Sequence, residues 1–418
     1  MKKHFLFQIA IAIIVNLFAM QHTYSQVKKR VLFIGNSYVA TNNLPNMLAS
    51  IALSTGDTII HDGNTPGGQT FMGHFNNATS KSKIAQGNWD YVVLQEQSQY
   101  PSFPINQVNN SVFPYAKKLD SLIHDANPCA KTMFYMTWGR KNGDDQNCPY
   151  FSQVCTYEGM DDLLRERYMM MAEQNNAMTS PIGPIWRYIR TNHPEIELYT
   201  GDGSHPSIAG TYAAACGFYA SILRKDPTLI TANSGLSQDV AAKIRNAAKV
   251  VVIDSLSTWK INAYDPTADF TFSSIDNTTT FTNQSTNATS YSWDFGDWTS
   301  STEANPTHVY SAIGSYEVIL TATTCNESIT TAQTVNISSL SVDKAQSINA
   351  IAIFPNPATE SISINGNYTT AQVIDATGRV LLTSDYSTIL NLNNLDAGSY
   401  YIIFEHEGFS STKQLIKN

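Results

Sequence analysis

The chain has 418 residues, 42% of them hydrophobic and 14% charged, with a formal net charge of −8 at pH 7. That length accommodates two or three domains, and an acidic balance without a basic patch excludes a nucleic-acid binder. The five cysteines (Cys129, Cys148, Cys155, Cys216 and Cys325) are too sparse for a disulfide framework and none has zinc-site spacing.

The opening segment, MKKHFLFQIAIAIIVNLFAMQHTYSQ, joins a basic start at Lys2 and Lys3 to an apolar run over residues 5–20. The small residues Thr23 and Ser25 precede Gln26. This pattern predicts a secretory signal peptide over residues 1–25, cleaved from an exported chain. No cysteine stands near the cleavage point to carry a lipid. No later stretch reaches the ~20 apolar residues that a bilayer span requires, so the mature chain is expected to have no membrane span.

Residues 26–260 mix apolar strands with amphipathic helices. VLFIG, YVVLQ and TMFYMTW read as buried strands, and IELYT more weakly so. Helical patterns cover residues 110–126, 161–177 and 206–223. The alternation predicts an α/β domain, a doubly wound parallel sheet with helices on both faces. The first strand breaks at Gly35-Asn36-Ser37, and sites in such sheets form at the carboxyl ends of strands. Gly35 permits a tight turn there, and the turn after it lifts the Ser37 hydroxyl into the open. A serine needs a base to become a nucleophile, and the base needs orientation. Both occur in LYTGDGSHPSIAGTYAAA, residues 198–215, where Asp202 and His205 stand three apart before a helix that Pro206 can start. That spacing lets one imidazole nitrogen bond the carboxylate while the other faces the serine.

Other polar residues read more plainly. Trp138-Gly139-Arg140 follows a strand end and lines the expected cleft; Arg140 either binds an acidic sugar or pairs with Asp144 or Asp145, the pairing being preferred. Asp161, Asp162 and Glu166 read as the first turn of a helix. His61-Asp62 reads as loop chemistry in a Gly-rich turn, and His74, His124 and His193 as surface or capping residues. Cys216 reads as a buried apolar residue, while Cys148 and Cys155 flank a short Pro-Tyr loop and can pair in an oxidising compartment.

A first-strand Gly-Asn-Ser, variant of Gly-Asp-Ser, with a late Asp-x-x-His resembles the SGNH, or GDSL-like, hydrolases over residues 29 to about 225. The resemblance implies an SGNH/flavodoxin-like fold and ester hydrolysis by Ser37, His205 and Asp202, with no metal or cofactor. It also implies an oxyanion hole from the Ser37 N–H, a glycine N–H and a side-chain amide. NTPGGQTF matches the glycine block, with Gly68 the choice and Gly67 the alternative. The family's third block, Gly-x-Asn-Asp, is replaced by WDYVVLQEQSQYP at residues 89–101, which has no Asn. A glutamine amide can serve instead, since the hole needs only a donor near the developing charge. Gln97 and Gln99 fit by register, and Gln95 is a further candidate.

From residue 265 short alternating runs rich in Thr, Ser and Asn predict all-β structure. Residues 265–338 resemble a PKD domain through WDFGD at residues 293–297, HVY at 308–310 and GSY at 314–316, with Trp298 replacing the usual glycine. Trp298 reads as locally packed rather than as an exposed stacking residue. Residues 341–349 read as a linker. Residues 350–418 resemble the C-terminal sorting domain of type IX secretion through FPNP at residues 354–357, IDATGRVL and the terminal KQLIKN. That resemblance implies passage across an outer membrane by the type IX machinery. These segments are expected to form two small all-β sandwich domains. The whole reads as a secreted serine esterase that removes acetyl or other acyl groups from carbohydrate. The rival readings are a lipid or aryl esterase with the same triad, and a non-catalytic glycan-binding surface protein.

Overall fold

A computed structural model describes residues 26–325, 327–339, 350–406 and 408–418. The expected signal peptide and the 341–349 linker lie outside them. Two units separate between Asp265 and Pro266.

The first unit is built on a parallel sheet of β1 (Lys28–Ile34), β2 (Thr58–Asn64), β3 (Tyr91–Leu94), β4 (Lys131–Met136) and β5 (Met178–Pro181), in the order β2-β1-β3-β4-β5. Val31, Leu32, Phe33 and Ile34 are fully buried, as are Val93 and Leu94 beside them. A parallel sheet with both faces covered selects such unbroken apolar runs. Two strands escape that pattern. Edge strand β2 tolerates the polar run His61-Asp62-Gly63-Asn64, so His61 lies on a strand paired with Val31, not in a turn. β5 is only four residues long and ends in Pro181. Conversely, IELYT contributes no strand; Tyr199 makes a single bridge to Pro206.

The helices lie close to their expected spans but not on them. Residues 110–126 divide into Ile105–Ser111 and Phe113–Ala126, and 161–177 becomes Tyr157–Gln174, capped by Thr156. The last predicted stretch is the helix Ile208–Leu223, buried along almost all its length. Its small residues let neighbours close in: a Cβ on Gly217 would lie 2.4 Å from Ile182 Cδ1, and one on Gly210 would lie 2.3 Å from the Leu198 carbonyl. Cys216 is buried in this helix, where desolvation pushes its thiol up to about 12.

In the second unit, a three-stranded and a four-stranded antiparallel sheet enclose Phe270, Phe281, Trp293, Phe295, Tyr310, Val318 and Leu320. In the WDFGD turn, Asp294 caps the Gly296 N–H, and Asp297 accepts from His308 Nε2 at 2.7 Å. Trp298 stands fully exposed at φ +70°, which corrects the expectation of local packing. Another three- plus four-stranded pair follows, around Ile362, Ala371, Val373, Ile402, Phe404 and Leu415. There Asn356 of the FPNP run donates to the Gln414 carbonyl and accepts from the Ile416 N–H, which pins that run to the terminal strand.

Candidate active site

The strand order reverses between β1 and β3, so the crevice at their carboxyl ends is where a doubly wound sheet offers a site. The chain leaving β1 turns through Gly35 and Asn36, and Ser37 opens the short helix Ser37–Ala40. A Cβ on Gly35 would fall 2.8 Å from Gln95 Oε1, so glycine is required by close approach. Ser37 Oγ lies 2.8 Å from His205 Nε2, across 168 residues of sequence. His205 Nδ1 lies 2.5 Å from Asp202 Oδ2. The other Asp202 oxygen accepts from the Ser204 and His205 N–H groups and from the Thr200 hydroxyl. Burial pushes against ionisation, but the bonds from His205, the two N–H groups and Thr200 hold the Asp202 carboxyl far below the usual range. It therefore stays an acceptor for His205 throughout the ordinary pH range.

The imidazole rests on an aromatic wall. Tyr38 meets it edge-on at 5.5 Å, and Tyr38 stacks on Trp138 at 4.7 Å, which stacks on Trp186 at 3.7 Å. The Tyr38 hydroxyl bonds Ser204 Oγ at 2.7 Å, and Trp138 Nε1 donates to the Ser204 carbonyl at 3.1 Å. Trp138 is thus fully buried behind the site and does not line its mouth.

Asn36 joins three loops. Its Oδ1 accepts from the Tyr38 N–H, while Nδ2 donates to the Gln69 carbonyl at 3.0 Å and, at 3.5 Å, to that of Glu96. This draws the glycine loop beside Ser37. Gly68 has φ +67° and its N–H, like that of Ser37, has no hydrogen-bond partner among the described residues. Gly67 is exposed beside it.

The glutamines separate by their bonds. Gln95 is buried and committed at both ends: Oε1 accepts from the Asn36 N–H, and Nε2 donates to the Glu96 carbonyl. Gln97 Oε1 accepts from the Gln99 N–H at 3.0 Å, and Gln99 Oε1 accepts from the Arg140 guanidinium. Neither the Gln97 nor the Gln99 amide nitrogen has a partner among the described residues. Arg140 pairs with buried Asp144 at 3.1 Å, and the Cys148–Cys155 disulfide closes the loop after it.

Three groups in or behind the site depart from the sequence reading: His74 and Asp161 differ from it, and Glu96 went unread. His74, expected at the surface, is fully buried. Its Nε2 bonds the Gly35 carbonyl and its Nδ1 bonds Ser80 Oγ, each at 2.8 Å. Burial pushes this imidazole down to about 4 against the pull of the Gly35 carbonyl, so it is neutral. The carbonyl can only accept, which places the proton on Nε2. Glu96, also buried, accepts from the Phe71 and Gln97 N–H groups, and desolvation pushes its carboxyl up to about 8 against those donors. Asp161 is no first-turn residue: it is buried in the second turn of its helix, bonds the Gly139 N–H at 3.1 Å and pairs with Arg187 at 2.7 Å. None of these residues has a neighbour in sequence that would announce its partner.

Among the described residues no cluster of His, Cys, Asp and Glu could hold a metal ion, and no helix is long and apolar enough to cross a membrane.

Comparison with known proteins identifies two modules. Residues 261–339 match the PKD domain family, and residues 352–418 match the family described as the secretion system C-terminal sorting domain. The chain is similar to a DUF4886 family protein from Bacteroides uniformis at 18% identity, over 55% of this chain and 96% of that one, with a TM-score of 0.48. It is similar to a protein described as a candidate SGNH hydrolase from Slackia heliotrinireducens at 24% identity, over 46% of this chain and 97% of the other, with a TM-score of 0.39. A stretch of 32 residues is 69% identical to the collagenase ColA of Bacillus cereus; it spans 8% of this chain and 3% of the collagenase.

Proposed function

We propose that this chain is an exported serine esterase of the SGNH type, acting on acyl, foremost acetyl, groups of carbohydrate. The observation that carries the reading is the line of hydrogen bonds from Ser37 through His205 to Asp202. In the proposed reaction Ser37 Oγ attacks the ester carbonyl carbon as His205 Nε2 takes its proton. The carbonyl electron pair moves onto oxygen, where the Ser37 and Gly68 N–H groups and a Gln97 or Gln99 amide receive it. Collapse expels the alcohol, which takes the proton back from His205. Water, deprotonated by His205, then attacks the acyl-serine; collapse breaks the bond to Ser37 Oγ, which takes that proton back from His205 as the acid leaves. Asp202 keeps the imidazole in the tautomer this requires and favours its charged form. The sorting domain, with the signal peptide expected over residues 1–25, supports export through the type IX machinery. The carbohydrate substrate is supported by that destination together with the PKD module, an argument from association.

The test is hydrolysis of 4-nitrophenyl acetate and of a panel of acetylated polysaccharides by the purified protein beside Ser37→Ala. A loss of kcat of roughly 10³-fold or more in the variant is expected. Equal turnover by both proteins on every substrate would move the reading to a non-catalytic glycan-binding surface protein, and turnover confined to lipid or aryl esters would keep the triad and remove the carbohydrate.

A further inference from the structure

We infer that Arg140 is a positioning residue for the oxyanion hole: it holds the Gln99 side chain by its oxygen, which leaves the NH2 group free to serve as the side-chain donor. The inference rests on the proposed esterase reading and decides between its two glutamines.

An amide side chain can flip, and as a catalytic donor it is useful in only one of its two orientations. A guanidinium has donors and no acceptor. The Gln99 group that meets Arg140 must therefore be the oxygen, and the bond is charge-assisted. Gln97 has no comparable restraint, its oxygen being held only by a backbone N–H two residues on. The positive charge on Arg140 also polarises the Gln99 amide and strengthens its N–H groups as donors.

Arg140 is held through its backbone and through both terminal guanidinium nitrogens, while its Nε has no partner among the described residues. Its N–H points to Met160 Sδ at 3.3 Å, the preceding N–H bonds Asp161 at 3.1 Å, and the following N–H bonds the Gly203 carbonyl at 2.8 Å. The last contact ties Arg140 to the loop that carries Asp202 and His205, so the residue that holds Gln99 and the base share one frame. Asp144, fully buried, takes one guanidinium nitrogen and Gln99 the other. The Asp144 contact is the pairing that the sequence favoured for this residue.

The test measures kcat and KM for 4-nitrophenyl acetate, and the rate at which Ser37 is labelled by an ethyl fluorophosphonate, in Gln99→Glu, Gln99→Ala, Arg140→Met and the double variant Arg140→Met/Gln99→Ala. Gln99→Glu keeps a partner for Arg140 while replacing the NH2 donor by a negatively charged oxygen, and Gln99→Ala removes the donor without adding charge, so the pair stays informative if Arg140→Met fails to fold beside unpaired Asp144. Gln99→Glu and Gln99→Ala are expected to lose roughly 10²-fold in kcat with KM within about threefold. Arg140→Met should lose about 10-fold, and nothing further on the Gln99→Ala background, because its effect passes through Gln99. The inference is overturned if both Gln99 variants keep wild-type kcat, or if Arg140→Met costs the same with Gln99 present and absent. Should wild-type protein neither turn over ester nor take the label, the esterase reading itself falls and takes this inference with it.

Discussion

Asn36 accepts with one side-chain atom and donates with the other, and its two carbonyl partners belong to the glycine loop and the glutamine loop. A carboxylate could keep the Tyr38 bond but would set negative oxygen against both carbonyls. Asn36→Asp is therefore expected to destabilise the fold by ~1–3 kcal/mol and to lower kcat more than it raises KM, measured by urea titration and ester turnover. The sequence offered this residue only as a variant of a familiar motif; its reason is the pair of carbonyls, from residues 69 and 96, that folding brings to it. Asp202 and His205 were legible because both ends of their bond lie within one short loop. His74 was not, because the carbonyl it holds is 39 residues away, and nothing in the local pattern marks a histidine that will be buried. The glutamines were legible as a set, and only the contacts of Gln95 with Asn36 and Glu96 remove that residue from the candidates for donor.

The elements divide along similar lines. β1, β3 and β4 announce themselves as apolar runs because both faces of a central parallel strand are covered, whereas β2 and β5 are the sheet's edges and need no such run. The exit of β3 is tied to the start of the helix Phe71–Asn76 by Glu96, whose carboxyl stands near 8 against 4.5 for an ordinary glutamate. The folded state thus holds this proton more tightly than the unfolded chain. The associated stability is fully present below pH 4.5 and is lost as pH rises through about 8. His74 acts in the opposite sense, since a value near 4 against 6.5 gives stability that is present above 6.5 and lost as pH falls through 4. The Glu96 effect is therefore read above 6.5, where the His74 slope dies away as the unfolded-state imidazole loses its proton. Stability should fall from there to pH 8, by no more than about 1.4 kcal/mol per pH unit, and Glu96→Gln should flatten the decline in urea titrations at several pH values.

At the scale of the whole molecule, the order of parts was legible from composition alone: an α/β segment, then two stretches of short alternating strands. The antiparallel pairs of sheets follow from period-two patterning with frequent turn residues, and the PKD and sorting modules from their motifs. The sequence allowed Cys148 and Cys155 to pair; what it did not convey is how tightly the loop beside Arg140 is closed. The Asp144 N–H bonds the Val154 carbonyl, a Cβ on Gly143 would lie 2.5 Å from Cys155, and the disulfide from Cys148 to Cys155 locks this tight turn. Replacing both cysteines by serine is expected to cost about 2–3 kcal/mol of stability and to lower kcat through Asp144, Arg140 and Gln99, with Ser37 still reactive; denaturant titration and steady-state kinetics would measure both. The bond also acts as a clock. Thiols stay reduced where the chain is made and oxidise only after it has left the cytoplasm. Until then the turn behind Arg140 lacks its covalent lock, and the loop reaches its final stiffness only in an oxidising compartment.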